Sequence, residues 1–349
     1  MLANETRIVI AGAGSIGCYV GGCLASAGKD VIFLVRPRIE SLLLQHGLKI
    51  IDLNGTETLV RPEQLTLAVD PAVAFAQAEI IVIAVKSGAT EEMAKLVAKH
   101  APSTSAIVSL QNGVDNARVL RRNLPSGFTV VPGMVPFNVV QSEPDAVPFT
   151  VRRTTDGTIL VDDRSGDLAD DLSAPGLNVH HHPDMQSVLW GKLLMNLNNA
   201  LNALSGLPLA TQLADRNWRR LLADQMSEGL KVLNAHAIVP SKIQGVSPAL
   251  VPWVLRLPDF LFRIAAKKMI NIDPRARSSM WEDLSRGRPT EIDYLQGVIV
   301  HLADEKAIPV PLTRNVVSCV KRAEGKPLRP HSVAEIRDAK AEEGSPLPP

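Results

Sequence analysis

Lys192 and Asn196 lie four residues apart in the stretch GKLLMNLNNALNAL, residues 191–204. An amine and an amide one helical turn apart suit the reduction of a ketone. That reaction needs a proton for the developing alkoxide. A lysine in a dehydrated cleft can supply it, because burial lowers its pKa and the cation stabilises the oxyanion before transfer. At about 100° per residue, Lys192, Asn196 and Asn199 fall within about 60° of one another. Leu193, Leu194, Leu197, Leu201 and Leu204 occupy the opposing sector as core. The plain alternative is the exposed face of an amphipathic helix. The amides argue for a cleft wall: four of the seven residues 196–202 are asparagine, a mediocre helix former that competes for its own backbone. Glu, Lys and Gln would build a solvated face more easily. Asn198 and Asn202 lie off the stripe and have no part in this reading.

A reduction also needs a hydride source. Gly12-Ala13-Gly14-Ser15-Ile16-Gly17 follows RIVIA and opens a helical stretch, the context that a dinucleotide-binding glycine pattern requires. Gly12 allows the tight turn, Gly14 the approach of the pyrophosphate, and Gly17 close packing of helix on strand. The helix N-terminus then offers N–H groups to phosphate. At the end of the second strand, where an NAD-binding unit places an acid, DVIFLV runs into Arg36-Pro37-Arg38. A guanidinium pairs with a 2′-phosphate, so the expected cofactor is NADP(H), with a solvated basic loop as the alternative. Two more strand ends carry polar groups, Lys86-Ser87 after IIVIAV and Gln111-Asn112-Gly113 after AIVSL. Asn112 could bond the nicotinamide end or a substrate, or only shape a turn with Gly113. Lys86 is either functional or a surface lysine.

The elements that position these residues follow from the apolar pattern. RIVIAGAG, DVIFLVR, AEIIVIAVKS and SAIVSLQNG are short, β-branched runs alternating with helix-compatible segments such as TEEMAKLVAKHA. That alternation predicts a doubly wound parallel sheet with helices on both faces. FTVVPGMV, VPFTVRR, GTILVDD and GLNVHHH carry the strand pattern to about His182. From Pro183 the periodicity is helical. The fold class expected is therefore α/β, a Rossmann-type domain over residues 1–183 and an all-helical domain over 184–335. Residues 336–349, rich in Pro, Ala and charge, read as a loose tail. Residues 247–271 are apolar and punctuated by proline; their Trp253, Phe260 and Phe262 are compatible with a homodimer and do not require one.

Charge and composition exclude other classes. The 349 residues are 46% hydrophobic and 21% charged, with formal net charge +1. This gives no electrostatic case for nucleic acid or an anionic membrane surface. No apolar run reaches the roughly 18 residues of a membrane span, and MLANETRIVIAGAG has no signal-peptide layout. Cys18, Cys23 and Cys319 form no metal or redox spacing and read as reduced, buried thiols of a cytoplasmic protein. Consecutive His180, His181 and His182 would point to alternate faces of a strand and make a poor chelate, so no metal is expected.

The ordered blocks GAGSIG, AVKS, LQNGV, LWGKLLMN and SSMWEDLSRGRPTEIDYLQG resemble the ketopantoate reductases (2-dehydropantoate 2-reductases) of pantothenate and coenzyme A synthesis. The last block is the most specific, and together they spread over most of residues 7–325. The resemblance implies an NADPH-dependent Rossmann domain joined to a helical domain, with the active site in the cleft between them and a 2-keto acid as substrate. It implies that Lys192 is the proton donor and Asn196 a substrate amide. Asn112 would lie near both cofactor and substrate, Ser279 would bind substrate, Glu291 would contact the cofactor, and Lys86 would assist. Thr290 to Asp293 also fits a capping box with Thr290 as N-cap and Asp293 at N3, and Ser279 could itself cap a helix. One family asparagine is replaced by Ala200, with Asn199 in position to substitute for it, and a second downstream has no clean counterpart. These departures bear on the identity of the keto acid more than on the reaction type.

Overall fold

A computed structural model describes residues 6–142, 147–163, 166–242, 245–265 and 276–339. By contacts the chain divides into two compact units, Met1–Met185 and Gln186–Pro349.

The strands of the first unit are β1 (Ile8–Ala11), β2 (Val31–Leu34), β3 (Leu48–Ile51), β4 (Glu57–Val60), β5 (Thr66–Ala68), β6 (Ile80–Ile83), β7 (Ala106–Ser109), β8 (Thr129–Met134), β9 (Val139–Gln141), β10 (Phe149–Arg153), β11 (Ile159–Val161) and β12 (Val179–His181). The large sheet has the order β12-β11-β8-β7-β6-β1-β2-β5. From β8 to β5 every neighbouring pair is parallel; β11 then runs antiparallel to β8. The parallel part has the doubly wound order, with its topological switch between β1 and β6, where such sheets bind ligands.

β1 and β6 are buried at every residue, as strands covered on both faces must be. Ile8, Ile10 and Phe33 pack toward α1 (Ser15–Ser26), and α2 (Pro37–His46) follows β2. On the opposite face Val9, Ile81 and Ile83 pack with Phe75 of α3 (Pro71–Phe75), Val97 of α4 (Thr90–His100) and Leu120 of α5 (Asn116–Asn123).

A second sheet, β4-β3-β10-β9, was not anticipated. Its β3 and β10 are parallel, Leu48 beside Phe149, and join distant stretches of chain. The paired glycines of α1 explain how two sheets share one helix. A Cβ on Gly21 would fall 2.7 Å from Ile10 Cγ1, and one on Gly22 would fall 2.8 Å from Leu48 Cδ2. Each mid-helix glycine costs about 1 kcal/mol relative to alanine; here the missing methyls let a sheet approach on either side.

Described strands are confined to the first unit, as the all-helical expectation for the second requires. After α6 (Asp167–Asp171) in the first unit, the predicted single helix over 191–204 is two: α7 (Met185–Asn196) and α8 (Asn198–Ser205). Leu197 stays near helical geometry, but its carbonyl accepts a hydrogen bond from Gln296 Nε2 at 2.9 Å. A side-chain amide entering the backbone ladder is a sufficient cause of a break. Next come α9 (Leu209–Ala214) and α10 (Arg216–Ala235), separated by Asp215, whose carboxylate caps α10 by accepting from Asn217 N.

The apolar interval beginning at 247 contains two short helices, Val251–Leu255 and Asp259–Ala265. Phe262 is core, whereas Trp253 and Phe260 are exposed; the part of the interval from 266 lies outside the described residues. The expected tail begins inside a helix, Val333–Asp338, closed by a reciprocal cap between Ser332 and Glu335 and anchored by buried Ile336. Residues 340–349 of that expected tail lie outside the described residues. None of the described helices is long and apolar enough to cross a membrane.

Candidate active site

In the first unit, β1 ends at Ala11 and the chain turns at Gly12 with φ +118°, a region closed to L side chains. A Cβ there would also lie 2.7 Å from Val85 N, so the turn sits against the loop after β6, at the switch point. Gly17 is packed as tightly: a methyl there would overlap the Gly12 carbonyl oxygen. Gly14, the residue before α1, differs. Its φ is −83°, it is exposed, and nothing lies within 4 Å of where a Cβ would be. The open space lies where free N–H groups at a helix N-terminus would receive an anion. With Ala13, Ser15 and Ile16 between these glycines, the loop fits a dinucleotide pyrophosphate.

These environments predict opposite outcomes. Gly14→Ala should keep the thermal midpoint within about 2 °C, since a surface change free of strain stays within about 0.5 kcal/mol. It should weaken nucleotide binding by about tenfold or more, about 1.4 kcal/mol. Gly17→Ala should lower stability outright. Thermal melts with and without NADPH separate the two; unchanged nucleotide affinity in Gly14→Ala would show that nothing binds against this residue.

Arg36 follows β2 and precedes α2, exposed, with Pro37 at the first helical position. Lys86 precedes the 3-10 turn Ser87–Ala89 after β6. Asn112 follows β7 and precedes Gly113, whose φ is +93°. Thus Gly12, Arg36, Lys86 and Asn112 all lie at the carboxyl ends of parallel strands.

In the second unit, Lys192 and Asn196 occupy the last two turns of α7, Lys192 half-buried and Asn196 buried. Leu193, Leu194, Leu197, Leu201 and Leu204 are all core, as the periodicity indicated. Burial lowers the Lys192 pKa from 10.5 to about 8, because the uncharged amine tolerates desolvation better than the ammonium.

The two asparagines left without a role are structural, which the sequence reading missed. Asn202, fully buried, donates to Leu207 O and Gln212 Oε1, each at 3.0 Å, and accepts from Ser278 N at 2.9 Å. Asn198 Oδ1 accepts from Gln212 Nε2 at 3.0 Å. Ser278 Oγ donates to the Asn199 carbonyl at 2.9 Å and caps the helix Ser279–Ser285 by accepting from Trp281 N. The cap is therefore Ser278, and Ser279 is the exposed first residue of that helix. Buried amides of this kind stabilise a single arrangement because each donor left unpaired would cost about 1–3 kcal/mol. They tie α8, which carries Asn199, to the segment that carries Ser279.

The capping box at 290–293 does not form. Thr290 N and Oγ1 both donate to Glu324 Oε1, and Asp293 pairs with Lys321 at 2.8 Å. Glu291 is half-buried and precedes the short turn Ile292–Tyr294. Glu324, just beyond the helix Pro311–Ala323, takes the Thr290 N–H, and Lys321 of that helix takes Asp293; the Thr290 hydroxyl still caps the turn by accepting from Ile292 N at 3.3 Å, so the cap forms without the box.

Cys18, Cys23 and Cys319 are free and buried, and desolvation pushes the thiols of Cys18 and Cys23 up to about 12, which leaves them inert as nucleophiles. Among the described residues no group of three or more His, Cys, Asp or Glu could hold a metal ion.

Comparison with known proteins finds matches over both units. The family model described as "Ketopantoate reductase PanE/ApbA" matches residues 8–166, and its C-terminal companion matches residues 184–324. A solved PanE/ApbA family ketopantoate reductase from Ralstonia eutropha is 30% identical, with a TM-score of 0.75, covering 91% of this chain and 98% of that one. The chain belongs to the ketopantoate reductase family. The 2-dehydropantoate 2-reductase of Halobacterium salinarum is 29% identical over 328 residues, covering 91% of this chain and 99% of that protein. A D-mandelate dehydrogenase solved with NADH and anilino(oxo)acetate is 20% identical with a TM-score of 0.74, covering 91% of this chain and 98% of its own; it shares the fold. Ketopantoate reductases thus supply relatives over both units of this chain.

Proposed function

We propose that the protein reduces 2-dehydropantoate to pantoate with NADPH, in the cytoplasmic synthesis of pantothenate and coenzyme A. The observation that carries this reading is Lys192, a half-buried residue whose desolvated amine has a pKa of about 8, suited to proton donation near neutral pH, with Asn196 one turn on. Family membership supports the same reaction.

When bound, the nicotinamide cofactor supplies the hydride. Gly12 to Gly17 would hold its pyrophosphate, Arg36 its 2′-phosphate, and Lys86, Asn112 and Glu291 would contact it. Lys192 stabilises negative charge on the C2 oxygen of the keto acid and gives that oxygen its proton. Asn112, Asn196 and Asn199 orient the substrate, and Ser279 binds its polar end. The uncharged amine left after transfer takes a proton back from water. Stabilising charge that develops only in the transition state is what raises kcat.

A panel of 2-keto acids tests the substrate. Ketopantoate is expected to have a kcat/KM at least about tenfold above its competitors, a difference of about 1.4 kcal/mol in transition-state binding. No preference for ketopantoate would move the reading to another branched 2-keto acid or small ketone. Buried Ala200, where the resemblance expects an amide, favours that second reading, as does a shared fold with a D-mandelate dehydrogenase. NADPH binding without oxidation by any member of the panel would instead indicate a regulatory nucleotide-binding protein.

A further inference from the structure

Beneath Asn112 lies a hydrogen-bond network that joins the loops after β6 and β7. Its side chains come from Ser87, Thr90, Ser109, Gln111 and Asn116, all buried. Asn116 Nδ2 donates to the Asn112 carbonyl at 2.5 Å and to Ser87 Oγ at 3.2 Å. Ser87 Oγ donates to the same carbonyl at 2.8 Å. Gln111 Nε2 donates to Val85 O at 3.0 Å and to Thr90 Oγ1 at 2.7 Å, and its Oε1 accepts from Ser109 Oγ at 3.1 Å. The single Thr90 hydroxyl proton has two acceptors in reach, Ser87 O at 2.8 Å and Asn116 Oδ1 at 2.9 Å. All four amide protons of Gln111 and Asn116 are thereby placed.

The geometry points to Asn116 and Thr90 as positioning residues that set the direction of Asn112 for the reaction; this rests on the role given to Asn112 above. Two donors on one carbonyl hold the peptide plane between Asn112 and Gly113, and the positive φ of Gly113 lets the chain leave that plane. With that plane held on one side, and Leu110 and Gln111 held on the other by Leu110 N donating to Ile83 O and by the Gln111 amide bonds, rotation about the Asn112 backbone is restricted and its Cα–Cβ bond is confined to a narrow range of directions. The same network grips the carbonyl of Val85, the residue before Lys86, so both strand-end groups are registered to one buried hub. Preorganisation by buried neighbours is what a reacting constellation needs, because a misplacement of about 1 Å can lower a rate about a hundredfold.

The test is a double-mutant cycle on the full chain with ketopantoate, or with the best keto acid of the panel. Asn116→Leu is expected to lower kcat about tenfold or more and to weaken NADPH by a smaller factor, because Asn112 and Lys86 are two of several groups that would hold the cofactor whereas the reaction depends on the direction of Asn112. In an Asn112→Ala background the same substitution should change kcat by no more than about twofold, because the residue it positions is gone. Thr90→Val should slow turnover and Thr90→Ser should restore it. The Thr90 pair carries the same test if Asn116→Leu does not fold. Losses that multiply fully in the Asn112→Ala background, or Thr90→Val turning over at the parent rate, would overturn the positioning role. Asn112→Ala turning over at the parent rate would overturn the role of Asn112 itself, and the positioning role with it.

Discussion

Lys192→Ala lowers kcat about a thousandfold, within the range for loss of a general acid, and leaves NADPH affinity within a factor of about two. The asymmetry follows from the role proposed for the ammonium. As the acid it would act on charge that appears on the substrate oxygen during reaction, so its removal should be felt in the transition state far more than in cofactor binding. Stopped-flow or steady-state rates with a direct NADPH titration make the comparison, and turnover near the parent rate would remove Lys192 as the acid. The parent enzyme should also lose kcat as pH rises through about 8, where the buried amine gives up its proton. Stability runs the other way. The folded pKa lies below the unfolded value of 10.5, so holding the charge in a desolvated position destabilises the fold at all pH below about 8. That penalty is relieved between about 8 and 10.5, where the folded chain binds fewer protons than the unfolded one. Lys192→Met should therefore be inactive and more stable than the parent at pH 7, a trade typical of residues kept for chemistry.

Arg36→Ala weakens NADPH about 10- to 100-fold and NADH hardly at all. A charge-assisted hydrogen bond contributes about 1.5–3 kcal/mol, and about 1.4 kcal/mol is a factor of ten in Kd. Only NADPH carries the phosphate that can collect it. Arg36 is well placed for this: exposed, in extended backbone just before α2, whose first turn begins with Pro37. The 2′-phosphate would then also meet the positive end of a ten-residue helix. Raising ionic strength should narrow the gap between the two cofactors, since an exposed charge pair is screened. Equal losses for NADPH and NADH would show that Arg36 does not read the phosphate.

The sequence announced the large sheet well. Its four β-branched runs became β1, β2, β6 and β7, because strands covered on both faces must be apolar at every position and so stand out. The glycine loop was equally legible, since each glycine answers a different steric demand. The small sheet was missed as a sheet, although the run VPFTVRR became one of its strands, β10. Nine of its sixteen residues are exposed or only half-buried, three of them exposed in β4, so its apolar signal is diluted. One cue was available: Asn54-Gly55 between two strand-like runs is a hairpin signature, and Asp52 does organise that turn by accepting from Asn54 N and Thr56 N. In the helical unit the face of α7 was readable, but the break after Asn196 was not, because its cause is Gln296, about a hundred residues downstream. Asn198 and Asn202 were opaque for the same reason. Their partners, Gln212 and Ser278, are tertiary, and periodicity within one helix carries no information about them. The capping box at Thr290 failed on the same account, outbid by Glu324 and Lys321.

The small sheet also shapes how the chain comes into being. β3 leaves the ribosome with Leu48 and Ile50 ready for a neighbour, yet that neighbour, β10, begins at Phe149. At about 5–20 residues per second the wait is on the order of 5–20 s. During that interval a hairpin of β3 and β4 would have one unprotected edge, the one that β10 later covers. An unpaired edge is where chains join one another. Nascent chains stalled before residue 149 should therefore associate or recruit chaperones, and those stalled after β10 should not.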